Sequence, residues 1–441
     1  MFERNALLRE HQAVDIYSGG PPIVGSSPCL LNRGPVNRWV IPIVLAVTVF
    51  VHYIDRNNLA IALPQIAQEF GWSDREIGAR GNLLLGAFYL TFGLAQVALS
   101  PFAERFGVKR SLVLSVLGFS VCAILVYPLG GSLAGLIALR LMLGVAESVH
   151  MPMNSALVSR WFPPHERGRA NSVYVAGILI ALALAPWLII PVVERFGWRL
   201  GFALLGLAGL AIALPLVLVF INDRPPSWQP APPSQQVRFA RQGWLWLYIT
   251  AGAFNAFCVF GVLNWLPTYL NRTKGIEFGA LSLPLFLVFV AGIVGVFLWA
   301  FLGDRTGRRI ALASGGLFIA GWMVLATGWV QNSTLVVMLF ALGVFFQSAY
   351  NAQEFATLQR MLPQGQVGAG TGLYNGLTVL IGGVGGSLIP GTIVSLTSSF
   401  QAGILSVVVG AWLVAGLMAL LGKRLGGELN GRFDEVEPHA G

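Results

Sequence analysis

The charged residues set within the long apolar stretches of this chain, away from their outer-loop ends, are Asp55, Arg56, Arg140, Glu147 and Glu354. If those stretches cross a bilayer, each charge costs roughly 2.5 to 3.5 kcal/mol at a helix centre, which argues for chemistry rather than surface decoration. Two guanidinium groups away from bulk water suit a carboxylate, because arginine offers a planar two-pronged donor and keeps its charge when desolvated. A neutral sugar needs neither. Two carboxylates beside such an anion suit a different task, the uptake and release of protons. Asp55, Arg56, Arg140 and Glu147 therefore read as a site that carries an organic anion together with protons. The competing reading is a set of static ion pairs that only neutralise one another. Glu354 stands six residues before Arg360 and reads equally as a gating contact or a solvated charge.

The elements that must hold these residues are helices in lipid. Of 441 residues, 55% are apolar or aromatic and only 11% charged, against roughly 25% charged in ordinary soluble domains. Mostly apolar runs of about 20 or more residues occur twelve times, at approximately 39–63, 77–103, 111–131, 134–159, 171–193, 200–221, 244–270, 279–302, 310–330, 334–359, 367–396 and 400–421. The net charge of +9 could point to nucleic acid, but the basic residues punctuate apolar runs instead of forming a stripe on a soluble face. With the N-terminus inside, cytoplasmic segments hold 20 of the 28 Lys and Arg and outer loops hold 6. The positive-inside rule then places both termini in the cytoplasm. These features imply an all-α, multi-pass membrane protein with the bilayer, a small organic anion and protons as partners and no nucleic acid; a bacterial-type inner membrane and a monomeric state are the accompanying expectations.

Spacing brings the charged residues together. At about 1.5 Å rise per residue, Asp55 lies roughly 12 Å below the outer end of the first span and Arg140 roughly 9 Å below that of the fourth. Glu147 follows Arg140 by two helical turns on nearly the same face, whereas adjacent Asp55 and Arg56 point about 100° apart. Tyr53, Asn255 and Gln347 are further polar residues at cavity-compatible positions, with interhelical hydrogen bonding as the competing role. His52 and His150 read as hydrogen-bonded packing residues, with titration as the competing reading. Cys29, Cys122 and Cys258 are too far apart to imply a disulfide scaffold or a thiolate metal site. No cofactor motif appears, which leaves a proton gradient as the driving force.

The chain divides into a cytoplasmic tail (1–38) that lacks signal-peptide character, a six-helix bundle (39–221), a proline-rich cytoplasmic linker (222–243), a second six-helix bundle (244–422) and a cytoplasmic tail (423–441). An internal repeat supports this division. Glu104-Arg105-Phe106-Gly107-Val108-Lys109-Arg110 recurs 200 residues later as Asp304-Arg305-Thr306-Gly307-Arg308-Arg309, and the same offset pairs Arg160 with Arg360, Pro163 with Pro363 and Gly168 with Gly368. Gln347 stands at that offset from Glu147, an uncharged counterpart. The asymmetry assigns proton coupling to the first half and substrate shaping to the second.

The repeated loop resembles the signature G-x-x-x-D-R-x-G-R-R of the major facilitator superfamily, here with Ser100 for the leading Gly and Glu104 for Asp in the first copy. The resemblance implies two halves of six helices and a gating role for Glu104, Arg105, Asp304 and Arg305. Within the superfamily the chain is similar to anion:cation symporters. It carries Asp55-Arg56-Asn57-Asn58-Leu59-Ala60-Ile61-Ala62, then Arg140, Gly144, Glu147, Pro152 and Asn154, and later Gly197-Trp198-Arg199 and Trp265-Leu266-Pro267-Thr268-Tyr269. That likeness implies that Arg56 and Arg140 contact the substrate carboxylate while Asp55 and Glu147 move protons; Asn375 also fits a family asparagine. The Gly-Asn pair common in the family's eleventh helix is replaced by Gly382-Gly383, which disfavours polyhydroxy sugar acids. Alternatives are an organic-anion exchanger; a phosphate-ester exchanger, disfavoured because the superfamily's organophosphate antiporters carry an arginine on the seventh helix and this span has none; and a non-transporting receptor, which would need a larger cytoplasmic domain. No nucleophile, base and orienting acid are gathered at catalytic spacing, so the chain does not read as an enzyme.

Overall fold

The computed structural model describes residues 38–223, 243–362 and 367–433. Expectations for the tail before residue 38, most of the 222–243 linker and the end of the C-terminal tail lie outside these residues, as do the side chains of Arg360, Pro363 and Gly368. The described residues form α-helices joined by short turns: α1 (Val40–Glu69), α2 (Asp74–Phe106), α3 (Val108–Leu129), α4 (Leu133–Ser148), α5 (His150–Trp161), α6 (Pro164–Phe220), α7 (Gly243–Arg272), α8 (Ser282–Thr306), α9 (Arg309–Ala326), α10 (Ser333–Met361), α11 (Val367–Thr397) and α12 (Phe400–Phe433).

These helices map onto the twelve apolar runs. Helices α4 and α5 act as one span, because Val149 between them keeps helical torsions (φ −87°, ψ −11°). Conversely, the 52-residue apolar part of α6 (Arg169–Phe220) would rise about 78 Å, far beyond a hydrocarbon core of about 30 Å. Gly197, at φ 75° and ψ 157°, breaks it into two arms that match the fifth and sixth runs. Only glycine takes this conformation without a Cβ penalty. Helix α12 continues past residue 422, where a tail was expected, since no proline interrupts 400–433.

Local chemistry sets the helix ends. Ser73 and Glu76 form a reciprocal capping box at the start of α2, and Ser132 and Asn332 cap α4 and α10 by accepting from Gly135 N and Leu335 N. The repeated loops have a shared cause: Gly107 and Gly307, 200 residues apart, both take positive φ (119° and 67°) where α2 and α8 end. A side chain at either position would strain the turn into the next helix.

Helix α1 packs along α6, α2 lies against α4 and α11, α7 contacts α11 and α12, and α10 packs on α8 and α9. Large apolar side chains such as Val97, Phe102, Phe297 and Leu396 remain exposed, as expected of a surface that faces lipid tails. Helices α2 and α11 meet at the end opposite the repeated loops. There Arg75 Nε donates to Ser398 Oγ (2.8 Å), Asn82 Nδ2 donates to Thr392 Oγ1 (3.2 Å), and Gly78 lies against the backbone of Gly391 and Ser395.

Close approach of α11 to α7 depends on Gly382, where a Cβ would fall on Ala253 O and the Ala256 methyl. Gly382→Val is expected to lower stability by about 2 kcal/mol through overpacking. Gly315→Ala, at a position with open space around it, should raise stability by up to about 1 kcal/mol through helix propensity. Thermal unfolding of the detergent-solubilised variants measures both.

Candidate functional site

Helix α4 lies tight on α2 because residue 144 is glycine: a Cβ there would fall on Thr91 Oγ1 and Phe88 O. This approach aims Arg140 and Glu147, two turns apart, at α1. The facing stripe of α1 is Thr48, His52 and Asp55, spaced so that they share one helix face. The result is a buried polar seam between α1 and the α4–α5 span. Asp55 and Glu147 are 1% and 0% exposed, Arg56 and Arg140 7% and 6%.

The expected meeting of Asp55 with Arg140 is present as proximity rather than as an ion pair. Both line a cavity of about 20 Å³ together with Asn58, Leu59 and Cys122, and Asp55, Arg140 and Glu147 are close enough to interact electrostatically. Yet neither oxygen of Asp55 has a hydrogen-bond partner, nor do Arg140 Nη2, Arg56 Nε and Nη2, or the Glu147 oxygens. No two of these four residues form an ion pair. Their interaction with one another is through space, without direct ion-pair contacts. A buried charge left without a partner is costly.

Arg56 has a distinct environment. Its guanidinium carbon lies over five aromatic rings, from 4.7 Å (Phe92) through Phe88, Tyr89 and Tyr53 to 5.5 Å (Phe260). Rings of this kind stabilise a cation electrostatically without water and without occupying its N–H donors. Tyr53 thus contacts Arg56, and Phe260 carries the cage onto α7. Sequence reasoning did not find Phe88, Phe92 or Phe260; the signal available was only an aromatic run on the second span.

The polar residues of the second half gather elsewhere. Gln347 Nε2 donates to Asn255 Oδ1 (2.8 Å) and to Asn351 Oδ1 (3.1 Å), and Asn255 Nδ2 donates to Asn351 Oδ1 (3.0 Å). Gln347 and Asn351 form part of the wall of a cavity of about 120 Å³ whose other lining is mainly apolar, including Leu179, Val262 and Phe289. Asn375 is half-buried on α11, its carbonyl accepting from Thr378 Oγ1 at 3.1 Å, and no described contact joins it to the arginines. Glu354 is held by the Tyr374 hydroxyl (2.7 Å), which in turn meets the Tyr350 hydroxyl at 2.9 Å.

In the repeated loops, Glu104 pairs with Arg160 of α5 at 3.0 Å, and Asp304 pairs with Arg309. Arg309 also donates to Gln353 Oε1 (2.7 Å). Arg105 and Arg305 are exposed at the helix ends. The carboxylate of Asp223 receives the Lys109 N–H, and Trp161 Nε1 donates to Asn222 O (3.0 Å), which ties the start of the linker segment to this loop.

Comparison with known proteins agrees with this architecture. The family model described as Major Facilitator Superfamily matches residues 45–387. The chain is 26% identical over 389 residues to the D-galactonate transporter of Escherichia coli O6:H1, covering 80% of this chain and 87% of that protein. It is 27% identical over 413 residues to the probable sulfoacetate transporter SauU of Cupriavidus necator, covering 87% and 93%. Among solved structures, a bacterial homologue of the human lysosomal transporter Spinster, in an inward-facing and unoccupied conformation, superposes with a TM-score of 0.76 at 17% identity, covering 88% of this chain and 97% of that one.

Glu147 forms no ion pair with Asp55, Arg56 or Arg140, and its one close polar neighbour is His52 Nε2 at 2.8 Å. Glu147→Gln keeps the shape of the side chain and removes a buried charge near two arginines, so it is expected to change the stability of the empty protein by no more than about 1 kcal/mol. In a chain of this size that corresponds to about 2 °C, read as a shift of at most this size in the thermal midpoint in detergent.

Proposed function

This chain belongs to the Major Facilitator Superfamily, and from that premise we propose that it is a secondary active transporter that takes up a small organic anion together with protons. In this reading two six-helix halves, 39–221 and 244–422, rock about a central site by alternating access, with both termini in the cytoplasm. The observation that carries the proposal is the set of four buried charged residues on α1 and α4 that form no ion pair with one another and leave both Asp55 oxygens, Arg56 Nε and Nη2 and Arg140 Nη2 without a hydrogen bond.

Arg56 and Arg140 bind the carboxylate, each offering N–H donors that the fold leaves free. The aromatic cage holds Arg56 charged and aimed while no anion is bound. Asp55 and Glu147 take up protons, and the acquired protons and the bound anion together reduce the unbalanced charge that must move across the lipid. Asn255 and Gln347, joined by Asn375 from α11, shape the remainder of the site. The apolar lining beside Gln347 favours an acid with few hydroxyl groups over a sugar acid. Relatives named as transporters of D-galactonate and sulfoacetate, both organic anions, support the anion class. Glu104, Arg105, Asp304 and Arg305 serve the gate at the loop end. In this reading the α2–α11 contacts serve as the closure at the opposite end.

Proteoliposomes test the mechanism with D-galactonate, sulfoacetate and benzoate as probes. At least one acid should accumulate when the outside is made acidic. Asp55→Asn combined with Glu147→Gln should abolish that accumulation while counterflow continues. Arg140→Lys, which loses the two-pronged donor, should reduce uptake by about 10- to 100-fold, equivalent to about 1.5 to 3 kcal/mol. Uptake of every responsive acid that ignores the gradient and survives the double substitution would overturn the symport mechanism.

A further inference from the structure

The two buried histidines of the seam are built differently, although the sequence reads both as packing residues. His150 on α5 is satisfied at both ring nitrogens, with Nε2 3.1 Å from Thr48 Oγ1 and Nδ1 3.3 Å from Ser115 Oγ. His52 on α1 is as deeply buried, at 0% exposure, yet neither of its ring nitrogens has a hydrogen bond. Its Nε2 instead lies 2.8 Å from Glu147 Oε2, close enough for a proton to be exchanged once the two groups align. A buried imidazole and a buried carboxyl that face each other at this distance, neither held by a further hydrogen bond, form an unusual arrangement for a purely structural histidine.

Other groups around His52 define what it can do. On α1 it is followed by Tyr53, whose ring meets it edge-on at 5.2 Å, and by Asp55 and Arg56, the latter within electrostatic range. From α3 come Phe119, with its ring centroid 5.9 Å away, and further along that helix Cys122. From α4 comes Glu147. From α5 the ring of His150 stacks on it at 5.1 Å and 27°, and Tyr89 on α2 lies over Arg56. An ionised Glu147 at this distance is the counter-charge that a protonated His52 needs inside the bundle. Charging of His52 is thereby tied to the loss of the Glu147 proton.

We propose that His52 is a proton-binding residue of the coupling site that shares a single proton with Glu147. In the exchange the O–H bond on Glu147 breaks as an N–H bond forms at His52 Nε2, and the pair passes from neutral acid and imidazole to carboxylate and imidazolium with no change in net charge. The carboxyl can then surrender its proton within the apolar bundle without creating an isolated charge. The seam continues beyond the pair, through His150 and Thr48 to Asn154 one turn further along α5, a fully buried amide with both polar atoms unpartnered. The use of this proton in transport rests on the symport reading of the same site, but the sharing itself does not.

Magic-angle-spinning NMR of full-length, 15N-histidine-labelled protein in lipid nanodiscs, titrated from about pH 5 to 9, tests the pairing. The His52 signals are identified by their loss in His52→Gln. In Glu147→Gln the His52 titration midpoint should be displaced by about one pH unit or more, a change of at least about tenfold in proton affinity. In Glu147→Asp, which keeps the charge but withdraws it by one methylene, the displacement should be smaller. The His150 signals, held by Thr48 and Ser115, should stay in place and report an intact bundle. A His52 titration identical in wild type and both Glu147 variants, with His150 unchanged, would overturn the proposal. The measurement needs no transported acid, so its failure and a failure of the symport assay are separately visible.

Discussion

A charge buried among apolar helices is stable only if something nearby answers it, and this protein leaves four such residues unanswered by one another. Asp55, Arg56, Arg140 and Glu147 are all nearly inaccessible, and none forms an ion pair with another member of the set. Removing two opposite charges from lipid and joining them in a good pair would be the quieter arrangement. Their separation is maintained by the packing of α4 against α2 at Gly144, which holds Arg140 and Glu147 on a fixed face toward α1.

The two arginines solve the same problem in different ways. Arg140 shares a small cavity with Asp55, so its charge is moderated by a carboxylate at a distance. Arg56 is moderated by ring faces, with Phe88, Tyr89 and Phe92 of α2 and Phe260 of α7 around it. Aromatic faces keep the guanidinium charged without consuming donors. Because α7 supplies one of these rings, the environment of Arg56 depends on residues far apart in the chain, whereas the Arg140 cavity is lined by α1, α3, α4 and α6 alone.

The duplicated loops separate what a repeat conserves from what it does not. Gly107 and Gly307 both adopt positive φ, since both turns must reverse the chain within a residue or two. The carboxylates beside them, by contrast, find different partners: Glu104 reaches Arg160 on another helix, and Asp304 reaches Arg309 across its own turn. Backbone geometry is local and recurs with the local sequence. Side-chain pairing depends on which neighbour the surrounding helices bring within reach.

Apolar run length and the scarcity of charge were sufficient for the helical class and for the number of runs, because each run must satisfy its own backbone in lipid and does so by local hydrogen bonding. They were also sufficient to single out Asp55, Arg56, Arg140 and Glu147, since a charge in such a run is conspicuous wherever it lies in space. Run boundaries were less legible: α1 continues to Glu69 and α12 to Phe433, since helical hydrogen bonding does not stop where hydropathy falls. Only the tertiary structure decided that the four charged residues stand apart, that Arg56 is ringed by aromatic side chains, that Asn255 and Gln347 bond to each other, and that His52 faces Glu147 while His150 faces Thr48 and Ser115. Those are contacts between residues up to about two hundred positions apart. A one-dimensional pattern records which groups are present, but partner choice is set by helix rotation and approach distance, which exist only once the helices are packed.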